Sequence, residues 1–141
     1  VYDLIDVGAS IANTNAKQVS MEEIFLKADI VSFHLPLNNE TRHFINTSFL
    51  KNFNKSIDLV NTSRGGICVL EDVWIGLEKG SIKRAMLDVY DYEPFKIGER
   101  GKSFLKANKL FLTPHIAGWT YESKKKMAEG AIMKLNELCF R

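Results

Sequence analysis

Four short apolar runs alternate with stretches of helical periodicity along this chain: Ile30-Val31-Ser32-Phe33, Ile57-Asp58-Leu59-Val60, Ala85-Met86-Leu87-Asp88-Val89 and Leu110-Phe111-Leu112. Runs this short and this apolar suit strands buried on both faces, which means a parallel sheet covered by helices. The stretches between them carry the helix signals. Ser20-Met21-Glu22-Glu23 has capping-box spacing, with Ser20 as N-cap, Glu23 reaching back, and Ile24, Phe25 and Ala28 on the apolar face. A short helix is expected from about Thr47 to Phe53. Leu70 to Lys79 places Val73, Trp74 and Leu77 at helical spacing, and Gly80 stands where a C-terminal glycine cap belongs. Thr120 is expected to cap a last helix reaching about Leu138, with Met127, Ala131, Leu135 and Leu138 on one face. Val1-Tyr2-Asp3 reads as the end of a further strand, and residues 4–19 as polar and irregular. Tyr90 to Asn108 reads as one long connection containing Pro94, Gly98 and Gly101. Connections of that length in compact domains usually carry function.

The 141 residues suffice for one domain with a real core, and 45% hydrophobic with 26% charged residues is the balance of a soluble globular protein. A formal net charge of +2 is too small to argue for nucleic acid or an anionic membrane as partner. No apolar run approaches the ~20 residues that a membrane helix needs. The chain opens on Val1-Tyr2-Asp3 without a signal peptide or a methionine, so it reads as cut from a longer cytoplasmic protein. Cys68 and Cys139 stand far apart without metal-ligand spacing. Both are expected to be buried, reduced thiols, with neither a disulfide nor a metal site.

The strand exits concentrate the polar chemistry. They deliver His34 and Pro36, then Thr62, Ser63 and Arg64, then Asp88, then His115. A parallel sheet would place all of these on one edge, where open α/β sheets bind their ligands. Asn61-Thr62-Ser63-Arg64-Gly65-Gly66 puts an arginine in a tight turn beside two glycines. Glycine permits backbone angles that other residues avoid and lets a ligand approach the main chain closely. The guanidinium fork grips a carboxylate with two parallel hydrogen bonds. His115, after Pro114, is a side chain suited to trading a proton near neutral pH. Glu93, before Pro94, could favour the charged imidazolium if it lies beside that ring. Singly, each has an ordinary alternative: a solvated arginine, a hydrogen-bonded surface histidine, a solvated loop glutamate. Together they make an anion clamp, a proton carrier and a group that tunes it.

Three of these segments resemble the signatures of the D-isomer-specific 2-hydroxyacid dehydrogenases. They are Asn61 to Gly66, Leu87 to Pro94 and Thr113-Pro114-His115-Ile116-Ala117-Gly118, in the family's order and spacing. Phe33-His34-Leu35-Pro36-Leu37, followed by Glu40-Thr41, is similar to a fourth, and Gly118-Trp119-Thr120 through Lys126 looks most like a phosphoglycerate-dehydrogenase-like branch. The resemblance implies a Rossmann-like, doubly wound parallel sheet that binds NAD. It implies that Arg64 binds the substrate carboxylate, His115 is the acid/base, and Glu93 hydrogen-bonds His115. It places Asp88 near the nicotinamide, Leu35 and Pro36 on the adenosine side, and Thr62, Ser63 and Gly118 against the cofactor. Asp3, with Asp6 as a weaker candidate, would bind the ribose hydroxyls and favour NAD over NADP. The implied partner is a small 2-hydroxy or 2-keto acid, and the implied assembly is a homodimer or higher homo-oligomer.

No GxGxxG turn occurs in the sequence. The chain is therefore expected to be residues 1–141 of a partial NAD-binding domain, lacking the first strand, the glycine-rich turn, the first helix and the substrate domain. Two other readings stay open. A non-catalytic, NAD-sensing corepressor-like module can keep the same residues, and the piece could be an inactive fragment. A formate dehydrogenase of this fold would typically carry glutamine where Glu93 stands.

Overall fold

The computed structural model describes residues 1–92 and 95–139. Each apolar run becomes a strand: β1 (Ile30–Phe33), β2 (Ile57–Asn61), β3 (Ile82–Leu87) and β4 (Leu110–Leu112). They form one parallel sheet in the order β1-β2-β3-β4. Phe33 lies opposite Asn61, Asn61 opposite Leu87, and Leu87 opposite Leu112, so all four strands end level on one edge. That is the edge expected from the sequence. β3 starts three residues earlier than its apolar run, because exposed Lys83 and Arg84 join the ladder behind buried Ile82.

Six helices accompany the strands among the described residues: α1 (Gly8–Ile11), α2 (Met21–Lys27), α3 (Thr47–Leu50), α4 (Leu70–Lys79), α5 (Glu99–Lys106) and α6 (Tyr121–Cys139). Ser20 caps α2 by accepting the Glu23 N–H, whereas the Glu23 carboxylate turns to Lys27 at 2.9 Å instead of reaching back. Gly80 ends α4 at φ 77°, a left-handed conformation that glycine adopts without strain. The core gathers Ile57, Leu59, Ile82 and Leu110 from the sheet with Val73 and Leu77 from α4. A second layer of aromatic contacts joins Phe25, Phe49 and Phe53 edge-to-face.

Several expectations are corrected here. The Tyr90–Asn108 connection contains α5, whose sequence, ERGKSFLK, hides its two large apolar residues among charges. Tertiary contacts specify it: Phe104 packs on Trp74 with centroids 5.7 Å apart, and Arg100 pairs with Glu71 and Glu78 of α4. Ile30, in the outermost of the four described strands, is 63% exposed instead of buried. Val1–Asp3 are not a strand, since no ladder flanks them; the Val1 carbonyl accepts the Val19 N–H. The helix foreseen to Phe53 stops at Leu50, and one helical turn, α1, lies within the irregular 4–19 stretch. α6 buries no residue, so Met127, Leu135 and Leu138 are exposed. Cys68 is buried as expected, but Cys139 is exposed because it ends that helix.

Candidate functional site

The turn after β2 is built by Asn61, which is fully buried. Its Oδ1 accepts from the Ser63 N–H at 3.1 Å and the Ser63 hydroxyl at 2.9 Å, while its Nδ2 donates to the Arg64 carbonyl at 3.0 Å. This is the local side-chain-to-backbone bonding that suits asparagine to turns. Arg64 leaves it in extended conformation, exposed, with Nη1 donating to the Ser63 carbonyl at 2.6 Å. Thr62 is exposed and Ser63 half-buried beside it.

Gly65 is where two strand exits touch. A Cβ there would lie 1.9 Å from the Tyr90 carbonyl carbon and 2.5 Å from the Asp91 nitrogen. Only glycine lets the backbone after β3 cross the arginine turn this closely. At Gly66 a Cβ would come within 3.1 Å of the Leu37 side chain and 3.3 Å of an Asp91 carboxylate oxygen, so the exit from β1 abuts the same turn. Leu35 is half-buried against the core and Pro36 is exposed, its carbonyl accepting the Thr41 hydroxyl at 2.6 Å.

Asp88 is only 3% exposed and organises the fourth strand exit. Its Oδ1 accepts from the Thr113 hydroxyl and, at 3.0 Å, from the Ile116 N–H; its Oδ2 accepts the Ala117 N–H at 2.9 Å. Burial penalises the charged carboxylate, but the Thr113 hydroxyl, the two amides and the nearby His115 outweigh it and hold the Asp88 carboxyl below the usual carboxylate range. The backbone N–H of Asp88 donates to the Asn61 carbonyl at 3.0 Å, which ties this aspartate to the arginine turn. Tyr90 adds a second tie. Its hydroxyl bridges the Leu87 and Thr113 carbonyls at 3.1 and 2.7 Å, and its ring stacks on Phe95 at 4.3 Å. His115 sits in the turn so held, exposed and at φ 56°, a left-handed conformation that histidine tolerates better than most side chains.

The exits of β2, β3 and β4 are thus one hydrogen-bonded unit carrying Arg64, Asp88 and His115. Asp3 stands outside it; exposed, its carboxylate accepts the Ile5 N–H at 3.2 Å, and Asp6 likewise accepts the Gly8 N–H at 2.8 Å. His34 turns to Ser32 at 2.9 Å. Gly118 is exposed with open space where a Cβ would point. Glu93 lies outside the described residues. A shallow hollow lined by Thr47, Asp72 and Lys79 contains none of these residues. Among the described residues no group of histidine, cysteine and acidic side chains could hold a metal. Sequence reasoning missed the roles of Asn61, Thr113 and Tyr90. An asparagine two residues before a serine at a strand end was the available signal for the first.

A four-stranded parallel sheet with flanking helices, its strand exits gathered on one edge, is a Rossmann-like α/β domain, a class that binds ligands at that edge. Residues 2–117 match the family model described as D-isomer specific 2-hydroxyacid dehydrogenase, NAD binding domain, and the chain belongs to that family. It is 36% identical to a glyoxylate reductase of Thermofilum pendens over 86% of this chain and 35% of the relative. It is 33% identical to a D-lactate dehydrogenase of Streptococcus pyogenes over 93% of this chain and 42% of the relative. The fold matches an NAD-complexed D-isomer specific 2-hydroxyacid dehydrogenase of Lactobacillus delbrueckii ssp. bulgaricus with a TM-score of 0.76 and 26% identity, covering 97% of this chain and 44% of that one. The chain therefore spans less than half the length of these relatives.

NAD is the cofactor of this family's domain. The carboxyl edge fits the ligand in one respect that the structure itself supplies. Asp88 spends its carboxylate on the Thr113 hydroxyl and the Ile116 and Ala117 amides, which fixes the backbone at the edge where Arg64 and His115 are solvent-exposed.

Proposed function

We propose that residues 1–141 form part of the NAD-binding domain of an enzyme that interconverts a small D-2-hydroxy acid and its 2-keto acid. The observation that carries this reading is the single hydrogen-bonded unit joining the Arg64, Asp88 and His115 turns through Asn61 and Tyr90. The cofactor, when bound, would supply a hydride to the keto carbon in its reduced form, NADH, or take one from the hydroxy carbon in its oxidised form, NAD⁺. Arg64 binds the substrate carboxylate through its guanidinium fork and orients the keto group. His115 gives a proton to the carbonyl oxygen as the hydride arrives, so the keto acid becomes a hydroxy acid; in the other direction it removes the hydroxyl proton. Glu93 orients His115. Leu35, Pro36, Thr62, Ser63, Asp88 and Gly118 line the cofactor, and Asp3 takes the ribose hydroxyls. The relatives named glyoxylate reductase and D-lactate dehydrogenase support short 2-keto acids as substrates. Gly118 to Lys126 supports a phosphoglycerate-dehydrogenase-like substrate as the second reading. The reading also takes the enzyme to be a cytoplasmic homo-oligomer, in which the exposed apolar residues of α6 are covered.

The test uses a protein of the relatives' full length that carries this chain. NADH oxidation is followed with glyoxylate, pyruvate and 3-phosphohydroxypyruvate. Turnover with one of them, lowered about 10²-fold in kcat/KM by Arg64→Lys with NADH binding nearly unchanged, is the expected result. No turnover with any 2-keto acid, or full efficiency in Arg64→Lys, contradicts the proposal.

A further inference from the structure

Asn61 is buried among the strand ends, yet the chemistry just described assigns it nothing. Its single amide group engages the chain on both sides of the Ser63–Arg64 peptide. The carbonyl oxygen takes the Ser63 N–H and hydroxyl, and the amide nitrogen gives a hydrogen bond to the Arg64 carbonyl. The carbonyl of its own backbone takes the Asp88 N–H, and Asp88 in turn holds the Ile116 and Ala117 amides around His115. One residue therefore bonds the arginine turn through its side chain and, through its backbone, the Asp88 that holds the histidine turn. The exposed guanidinium has no comparable anchor of its own; its described bond goes to the neighbouring Ser63 carbonyl.

We infer that Asn61 is a positioning residue that aims the Arg64 guanidinium at the substrate carboxylate, through the amide it places across the Ser63–Arg64 peptide. The inference rests on the proposed carboxylate-binding role of Arg64. The side chain must both donate and accept to do this. Aspartate in its place keeps the size and the acceptor but sets a second oxygen against the Arg64 carbonyl, which a charged carboxylate cannot bond. The arginine turn then loses its donor while the backbone bond to Asp88 stays. Misplacement of a clamp by about 1 Å is enough to cost roughly 10²-fold in rate. The loss falls on the substrate acid and spares the histidine frame.

The experiment is a double-mutant cycle in the full-length protein, with Asn61→Asp and Arg64→Lys singly and together, measured as kcat/KM for the best 2-keto acid and as KM for NADH. Asn61→Asp is expected to lower kcat/KM for the keto acid about 10-fold to 10²-fold with the NADH KM within about threefold of wild type. In the Arg64→Lys background the same change should cost less than about threefold, because the group it aims is already gone. Asn61→Ser, which keeps a short donor and acceptor, serves as a second cycle if Asn61→Asp does not fold, and should show the same non-additivity. Equal losses in both backgrounds would mean that Asn61 acts only on stability, and would overturn the inference while leaving the clamp in place. An Arg64→Lys protein with wild-type efficiency would overturn the clamp itself, and the inference with it.

Discussion

Two aspartates are buried in this sheet, and they are held in opposite ways. Asp58, 6% exposed and the second residue of β2, is paired through both oxygens with Arg84 across the ladder in β3. Asp88, 3% exposed and just past β3, is held by a hydroxyl and two loop amides. A buried carboxylate needs compensation in either place. At Asp58 a cation is consumed to give it, and the result is a structural tie between two strands. At Asp88 a threonine hydroxyl and two backbone amides give most of it, with the His115 ring nearby, and the result is a tie between a strand exit and the turn that follows the next strand. One buried carboxylate thus fastens strand to strand, and the other fastens the loops at the carboxyl edge.

The sharpest way to break this contrast is Gly65→Ala. Its Cβ would meet backbone, which cannot swing aside like a side-chain tip. Thermal or urea unfolding is expected to show a loss of about 3 kcal/mol or more. Gly118→Ala, with open space around its Cβ, should change stability far less. Equal effects would mean that the strand exits do not meet as described.

Asp88→Asn comes next. The amide keeps an acceptor but presents a donor to loop N–H groups, so the His115 turn should loosen. A fall in kcat/KM of about 10²-fold is expected in the full-length protein, whereas Asp58→Asn should leave kcat/KM within about threefold while lowering stability. Comparable activity losses for both would erase the distinction.

Acid and salt separate the pair more finely. Both carboxyls lie below their ordinary range when folded: Asp58 because the Arg84 guanidinium bonds it, Asp88 because its hydrogen bonds outweigh its burial. A depressed folded pKa means a stabilising contribution present above the unfolded value of about 3.9 and lost as pH falls through the lower folded one. The stability gap between wild type and either asparagine variant should therefore close as pH falls below about 4. Molar salt should shrink the Asp58 gap, since Arg84 is 45% exposed, and reduce the Asp88 gap less, because that one rests mainly on a hydroxyl and two amides. A gap that widens with acid contradicts the assignment. The smallest effect belongs to Arg100→Ala, whose partners Glu71 and Glu78 are solvent-accessible; its slight destabilisation should fade in the same salt.

The strands and their common edge were legible because apolar runs with polar exits have one economical arrangement. α5 was not, because its one buried aromatic, Phe104, packs on Trp74, a partner remote in sequence. At the site, Arg64, Asp88 and His115 stood out as chemistry-bearing side chains at strand ends. Asn61 and Tyr90 did not, because their work is to satisfy backbone carbonyls and amides that only the fold brings within reach.

The most direct test of the central claim is the steady-state rate of NADH oxidation by a 2-keto acid in the full-length protein and its His115→Ala variant. The account predicts a D-2-hydroxy acid product and a loss of about 10²–10⁴-fold in kcat for His115→Ala in both reaction directions, with NADH still bound. Undiminished turnover in His115→Ala would contradict it.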